Sequence, residues 1–255
     1  MENDEFAQDL QKIIDADQIN TTQGSEIYLL INNFTNNLSN LPMLFQVLPS
    51  YQRNIRHLMT IFNLIRSIMK KKGCLLNLQN LEELINFFPI IESLSHEIAL
   101  SQEVLPICCD VIAYIYRFIF ELALDEHPSF DPVFKLISSS TESNVILGLK
   151  IMSSIVDIMK TPMKHISIKQ RNHEIAQIFE NTQLSSYFKA AIQHSINLTP
   201  IITPVALNLI ITIFQFLKTK INSTQNKEDD SFDFEFGVPN EIFQIYHNFD
   251  MKLER

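Results

Sequence analysis

Apolar residues fill most of the stretch at residues 104–124, VLPICCDVIAYIYRFIFELAL, whose charged residues are Asp110, Arg117 and Glu121. On a helix these charges fall along one narrow stripe, and apolar side chains take the other directions. About twenty apolar residues would also suffice to cross a bilayer. Three charges and Pro106 inside the window would be costly in lipid, so the pattern predicts a buried core helix and no membrane insertion.

Three further stretches share this design of an apolar helix with a narrow polar stripe. They are residues 51–72, with Arg56, Thr60, Asn63 and Ser67 in the stripe; residues 145–160, with Lys150, Ser153, Ser154 and Asp157; and residues 203–221, with Asn208, Thr212 and Gln215. We interpret each stripe as the line along which the helix meets solvent. Because nearly all other directions are apolar, each of these helices needs cover from several neighbours.

Shorter and more polar segments alternate with these long helices. The pattern predicts helices over residues 4–19, 25–37, 41–48, 78–94, 132–137, 172–180, 184–198 and 239–249, with 78–94 forming one or two helices interrupted at Pro89. Thr203 before Pro204 predicts a helix cap followed by a first turn. Residues 222–238 are polar and acidic, which is typical of an exposed loop.

Alternation of enclosed and partly exposed helices is typical of stacked helix pairs. We predict an all-α fold, an α-solenoid of about five HEAT- or armadillo-like helix pairs, since such repeats recur roughly every 40–47 residues. The chain is interpreted as one domain, 1–255, with N-terminal helices in 1–50, core repeats in 51–221, the acidic loop 222–238 and a last helix in 239–255. A plain helical bundle is the alternative.

The composition narrows the possible classes of function. Four glycines in 255 residues cannot supply the turns of a β-sandwich or the glycine-rich loops of a nucleotide-binding α/β fold. A net charge of −9 argues against direct nucleic-acid binding and suits basic protein partners. Cys74, Cys108 and Cys109 form neither a disulfide framework nor a zinc-site spacing, which fits a reducing compartment. The acidic N-terminus does not resemble a secretory signal or a transit peptide.

Residues that could perform catalysis form no recognisable arrangement. No two of the seven histidines stand four residues apart, the helical spacing at which they could share a metal. Cys108 and Cys109 point to opposite sides of the predicted buried helix, so we interpret them as core residues. We therefore expect no enzyme activity, metal or cofactor, and an α-helical enzyme is the least favoured hypothesis.

A basic segment without acidic residues lies between Ile27 and Leu81. Its six positive charges are Arg53, Arg56, Arg66, Lys70, Lys71 and Lys72. This segment could attract an acidic protein segment or phosphate groups. The alternative is a solvated basic face whose lysines complement the dipole at the end of a helix.

The second half of the chain resembles a known family. The residues concerned are VILGLKIM at 145–152, RNHEIAQIF at 171–179, LSSYF at 184–188, FQF at 214–216, the acidic insert, then VP at 238–239 and EIFQIY at 241–246. In this order they resemble the exportin-seven and exportin-four branch of the importin-beta (karyopherin) superfamily. Residues 142–250 show most of the resemblance, and upstream only helix order and length match. The chain departs from the family in having no Trp, where members tend to place one after the proline that follows the insert.

The resemblance implies an exportin-like nuclear transport receptor that shuttles between nucleus and cytoplasm. Its partners would be the GTPase Ran in its GTP form, a protein cargo and nuclear pore proteins. In that family the second helix of each pair lines the inner surface, which here implies residues 78–94, 132–137 and 172–198. The candidate partner-binding residues are Glu82, Glu83, Asn86, Arg171 and Glu174. The alternative is a general HEAT- or armadillo-type interaction scaffold whose binding does not depend on Ran.

Overall fold

The structure is a computed structural model of the 255-residue chain, and it describes residues 2–18, 25–122, 130–160, 183–197 and 199–225. Throughout these ranges the regular structure is helical, without a β-strand, so the predicted all-α class is confirmed. The α-helices are α1 (Glu2–Gln18), α2 (Ser25–Asn36), α3 (Asn40–Val47), α4 (Ile55–Lys72), α5 (Leu78–Ile85), α6 (Phe88–Ser93), α7 (Ser95–Leu100), α8 (Val104–Leu122), α9 (Asp131–Ile137), α10 (Glu142–Lys160), α11 (Gln183–Ile196) and α12 (Ile202–Gln225). Short 3-10 turns at Leu48–Tyr51 and Gly73–Leu75 flank α4. The helices predicted over 172–180 and 239–249, and residues 226–238 of the predicted loop, lie outside the described residues.

Several predicted helix ends are wrong for local reasons. Helix α4 begins at Ile55 instead of residue 51, because the Asn54 side chain caps it by accepting a hydrogen bond from the backbone N–H of His57 at 3.2 Å. Helix α12 already begins at Ile202, and the backbone N–H of Thr203 donates to the carbonyl of Thr199 at 2.9 Å, so Thr203 is not the cap. The same helix continues to Gln225, four residues beyond its predicted end.

The region between α4 and α8 holds more helices than the pattern predicts. Helix α5 ends at Ile85, and the break falls at residues 86–87 instead of at Pro89. Pro89 lies in the first turn of α6, where a missing N–H leaves no intrahelical bond unmade. Helix α7 was not predicted, since six residues are too few to show a helical period.

The long helices pack side by side in a row. Helix α4 packs on α8, α8 packs on α10, and α10 packs on α12. Helices α1 and α2 cover the other side of α4. Most of the shorter helices lie against the long helix that follows them in sequence: α3 on α4, α5 on α8, α9 on α10, and α11 on α12. Helix α7 packs on both α8 and α10, and more extensively on α10. Buried apolar side chains from Phe6 to Ile213 form one connected cluster through this arrangement.

The polar stripes of the long helices are not simply lines of solvent contact. Each stripe contains one buried residue: Thr60 in α4, Arg117 in α8, Ser153 in α10 and Thr212 in α12. The Thr60 hydroxyl donates to a carboxylate oxygen of Asp17 in α1 at 2.7 Å, and the Arg117 guanidinium donates to the sulfur of Met159 in α10 at 3.4 Å. The interpretation of the stripes as solvent lines is therefore wrong at these positions, because neighbouring helices lie over them.

Gly148 allows α9 and α10 to approach closely. A Cβ atom at position 148 would lie 2.8 Å from Cγ1 and 2.9 Å from the backbone nitrogen of Ile137. Because these distances are shorter than van der Waals contact, a larger residue would push α9 away. The close approach of α9 therefore explains why a glycine stands in the middle of this helix, where no turn requires one.

The apolar helix α8 is enclosed by protein. Its buried residues include Cys108, Ile112, Ile115 and Tyr116, which are at most 3% exposed. Across the ranges that the structure describes, none of the helices combines the length and the apolar content needed to span a bilayer.

Candidate partner-binding surface

Helix α5 presents the predicted residues Glu82 and Glu83 to solvent, and Asn86, which directly follows the helix, is also exposed. The helix is fixed at its start by a capping box, in which the Asn77 side chain accepts from the backbone N–H of Asn80 at 2.8 Å and the Asn80 side chain accepts from that of Asn77 at 3.4 Å. Its apolar residues, Leu81 and Leu84, are buried, and the helix packs on α8. Because the apolar face is turned toward the core, the opposite face, which carries the acidic and polar side chains, is turned toward solvent.

The negative charges of the α5 carboxylates are not neutralised by nearby positive side chains among the residues that the structure describes. The Gln79 side chain donates to Glu83 at 3.3 Å, one turn away along the helix. Within the described part of the chain, neither Glu82 nor Glu83 forms an ion pair. This face can therefore accept hydrogen bonds and attract positive charge from a partner.

Helix α9 carries surface residues that the sequence did not single out. Lys135 in α9 donates to the Glu92 carboxylate of α6 at 2.9 Å, which bridges two short helices. Phe134 is 37% exposed beside this pair. A sequence signal existed, since Asp131-Pro132 marks the start of the helix and the apolar residues Val133, Leu136 and Ile137 mark its buried side. The pairing with Glu92, 43 residues away, could not be predicted from it.

A run of aromatic rings holds the short helices in place. The ring of Tyr116 in α8 stacks on Phe130 at 4.9 Å between centroids, and Phe130 meets Tyr187 of α11 edge-on at 6.1 Å. The Tyr187 hydroxyl donates to the carbonyl oxygen of Phe130 at 2.6 Å. Burial raises the pKa of both tyrosines well above their ordinary range. The charge of Asp131 adds to this for both, and the Tyr116 hydroxyl adds to it for Tyr187, so both side chains stay neutral.

The remaining predicted surface residues, Arg171 and Glu174, lie outside the described residues. The structure therefore places Glu82 and Glu83 on the exposed side of α5, with Asn86 exposed directly after the helix, and does not relate them to Arg171 and Glu174. On α6 and α9 it shows a second set of surface residues, Glu92, Phe134 and Lys135.

The basic residues of α4 mainly join helices to one another. Arg66 pairs with Asp110 of α8 at 3.3 Å, and Lys71 donates to Asn32 and Thr35 of α2 at 3.2 and 2.8 Å. The ammonium group of Lys70 lies 5.6 Å from the centre of the Tyr114 ring. These contacts favour the interpretation of the basic segment as a structural feature over a phosphate site.

The cysteines of α8 lie in the core. Cys108 and Cys109 are 0% and 2% exposed. Burial raises the pKa of each thiol far above its ordinary value; the neighbouring thiol adds to this for Cys108, while Lys150 partly opposes it for Cys109. Neutral buried thiols are poor nucleophiles. In the part of the chain open to description, no cluster of His, Cys, Asp and Glu side chains has the arrangement of a metal site.

Comparison of the chain with protein-family models, curated proteins and solved structures gave no match.

Proposed function

We propose that this chain is a protein-binding helical-repeat module, an α-solenoid whose partner surface is formed by the solvent-exposed sides of its short helices. The observation that supports this is the row of packed helices α4, α8, α10 and α12, each with a shorter helix laid against it. An arrangement of this kind grows by adding pairs, and it presents one helix of each pair along an extended surface. Extended surfaces of this type suit protein partners better than small molecules.

The chemistry of this surface defines the class of partner. Glu82 and Glu83 contribute negative charge, Asn86 contributes an amide, and Phe134 contributes an exposed ring. A partner segment with Lys or Arg side chains and an apolar residue would complement this set. The net charge of −9 favours the same class of partner over long distances.

The resemblance to the importin-beta superfamily makes the proposal more specific. We infer that the chain is an exportin-like transport receptor that binds GTP-loaded Ran, a protein cargo and nuclear pore proteins. Such a receptor shuttles between nucleus and cytoplasm. It performs no catalysis and requires no cofactor. Binding of Ran and cargo would be coupled, because each ligand changes the affinity for the other by the same factor.

Binding to purified Ran tests this form directly. Calorimetry would compare Ran loaded with a non-hydrolysable GTP analogue against Ran loaded with GDP, with circular dichroism to verify folding. We expect binding of the GTP form only. Equal binding of both forms, or none by a folded chain, would overturn the Ran-dependent form and favour the general scaffold.

Charge reversal tests the surface itself. The double variant Glu82→Lys/Glu83→Lys should weaken binding of a basic partner about tenfold or more, since two attractive charges become repulsive. Glu103→Lys is the matched control, because Glu103 is also exposed but lies in the turn before α8. An equal loss in both variants would indicate a general charge effect and contradict the assignment of α5.

A further inference from the structure

Helix α12 has an exposed face that is largely apolar. Leu207 is 38% exposed and Ile211 is 52% exposed, and Pro204 lies on the same side one turn earlier. Asn208 and Gln215 share this face, whose residues recur at spacings of three and four. The opposite side of the helix, with Ala206, Leu209 and Ile213, is buried in the core. The predicted polar stripe is therefore wrong at Thr212, which is buried, while Asn208 and Gln215 are exposed together with two large apolar residues.

This exposure distinguishes α12 from the other long helices. Helices α4, α8 and α10 each pack between neighbours in the row, and among their described side chains only Ile55, at the start of α4, is a large exposed apolar residue. Two further exposed residues lie in the connection to α12: Ile196, at 64%, ends α11, and Ile201, at 57%, immediately precedes α12. Large apolar residues clustered in this way mark a surface that another element covers.

We propose that residues 239–249 dock on this face of α12 as a helix, with Leu207 and Ile211 at the centre of the contact. The sequence PNEIFQIYHNF places Ile242, Ile245, Tyr246 and Phe249 at spacings of three, one and three. Those spacings give one apolar face on a helix. The apolar face of the segment matches the apolar strip of α12 in kind and in length.

The length of the tether favours this occupant over a second molecule. Residues 226–238 separate α12 from the segment, and a chain of that length spans up to about 43 Å. Leu207 lies about 27 Å back along α12 from Gln225, so the segment can return antiparallel to the helix. A short tether also keeps the segment near α12 at a millimolar effective concentration. A second copy of the chain could compete for this face only at a higher concentration in solution.

Hydrogen exchange of the full-length chain, followed by mass spectrometry, tests the docking. Amides in residues 239–249 should exchange at least about tenfold more slowly than in an unstructured peptide of the same sequence. The variant Leu207→Ser/Ile211→Ser should raise their exchange rate about tenfold, because the apolar contact is removed. Leu100→Ser is the matched control, since Leu100 is 67% exposed at the end of α7 and should leave the segment unchanged.

A second variant approaches the contact from the other side. Ile242→Ser/Phe249→Ser should release the segment and raise exchange in the middle of α12 without altering exchange in α4 or α8. Exchange of the wild-type segment at the unprotected rate, or protection that survives Leu207→Ser/Ile211→Ser, would overturn the proposal. Protection that disappears on dilution together with a dimer seen by light scattering would overturn it in favour of a second copy. The proposal does not depend on Ran, so either result for Ran binding leaves this test intact.

Discussion

Tyr187 donates a hydrogen bond of 2.6 Å to the carbonyl oxygen of Phe130, which joins α11 to the residue that precedes α9. Both residues are buried, at 1% and 2% exposure, so water cannot replace the bond. The contact fixes the distance between two short helices that lie 57 residues apart in sequence. It therefore contributes to the shape of the proposed partner surface as well as to stability.

Removing this hydroxyl should destabilise the chain without changing its packing volume. We expect Tyr187→Phe to lower the free energy of unfolding by about 1–2 kcal/mol, because the Phe130 carbonyl would lose its side-chain donor in a buried site. Tyr114→Phe is the control, since the described contacts of Tyr114 are made by its ring. Urea denaturation measures both variants, and equal effects would show that the bond contributes nothing specific.

Adding one methyl group at Gly148 should also destabilise the chain. Alanine is favoured over glycine inside a helix by about 1 kcal/mol, but the new Cβ would lie 2.9 Å from a backbone atom of Ile137. Backbone cannot rotate away as a side chain can, so we expect a net loss of about 1–3 kcal/mol in urea denaturation. A more stable Gly148→Ala variant would show that α9 and α10 do not approach as closely as the structure indicates.

The buried thiols predict a sensitivity to alkaline pH. In the unfolded chain Cys108 and Cys109 ionise near their ordinary pKa of about 8.5, whereas burial raises the pKa of both in the folded state. Their contribution to stability is therefore intact below about pH 8.5 and is lost as the pH rises above it, at up to about 1.4 kcal/mol per pH unit for each thiol.

Denaturation midpoints measured between pH 7.5 and 10 under reducing conditions would check this slope. Cys108→Ala/Cys109→Ala should flatten it, while Cys74→Ala should leave it unchanged because Cys74 is exposed. A slope that is the same in all three proteins would exclude the thiols as its cause.

The ion pair between Arg66 and Asp110 should contribute only modestly. Its side chains are 31% and 46% exposed, and the two charged atoms are 3.3 Å apart. A double-mutant cycle with alanine should give a coupling of about 0.5 kcal/mol or less, decreasing with salt. A cycle between Arg53 and Asp110 is the control and should give none, because Arg53 lies before the start of α4, and that start is already about 16 Å of helix from Arg66. A coupling above about 2 kcal/mol would mean that the pair is shielded from water.

Hydrophobic periodicity predicted the long helices well, because eighteen or more residues of consistent pattern determine a helix and its buried face. It failed for α7, which is too short to show a period, and for the buried side chains of Thr60 and Arg117. Burial of a polar residue depends on which helix lies across it, here α1 over Thr60 and α10 over Arg117. Such contacts between distant parts of the chain are not encoded in local spacing.

The candidate surface was predictable to a similar degree. Leu81 and Leu84 mark the buried face of α5, so exposure of Glu82 and Glu83 follows from the sequence pattern. The pair of Glu92 and Lys135 depends on how α6 and α9 pack, and no local pattern contains that information. The identity of a partner depends on the partner's own surface, which neither the helical period nor the packing of this chain specifies.

The three cysteines, one exposed and two enclosed in α8, give the molecule an internal probe of folding. A maleimide reagent should modify the native chain once, at Cys74, and the denatured chain three times. Cys74 follows Gly73, whose α-carbon lies against the ring of Phe118 in α8. A dye attached there would sit where α4 and α8 meet, and its fluorescence would respond to any change in the surroundings of this contact, without any engineered residue.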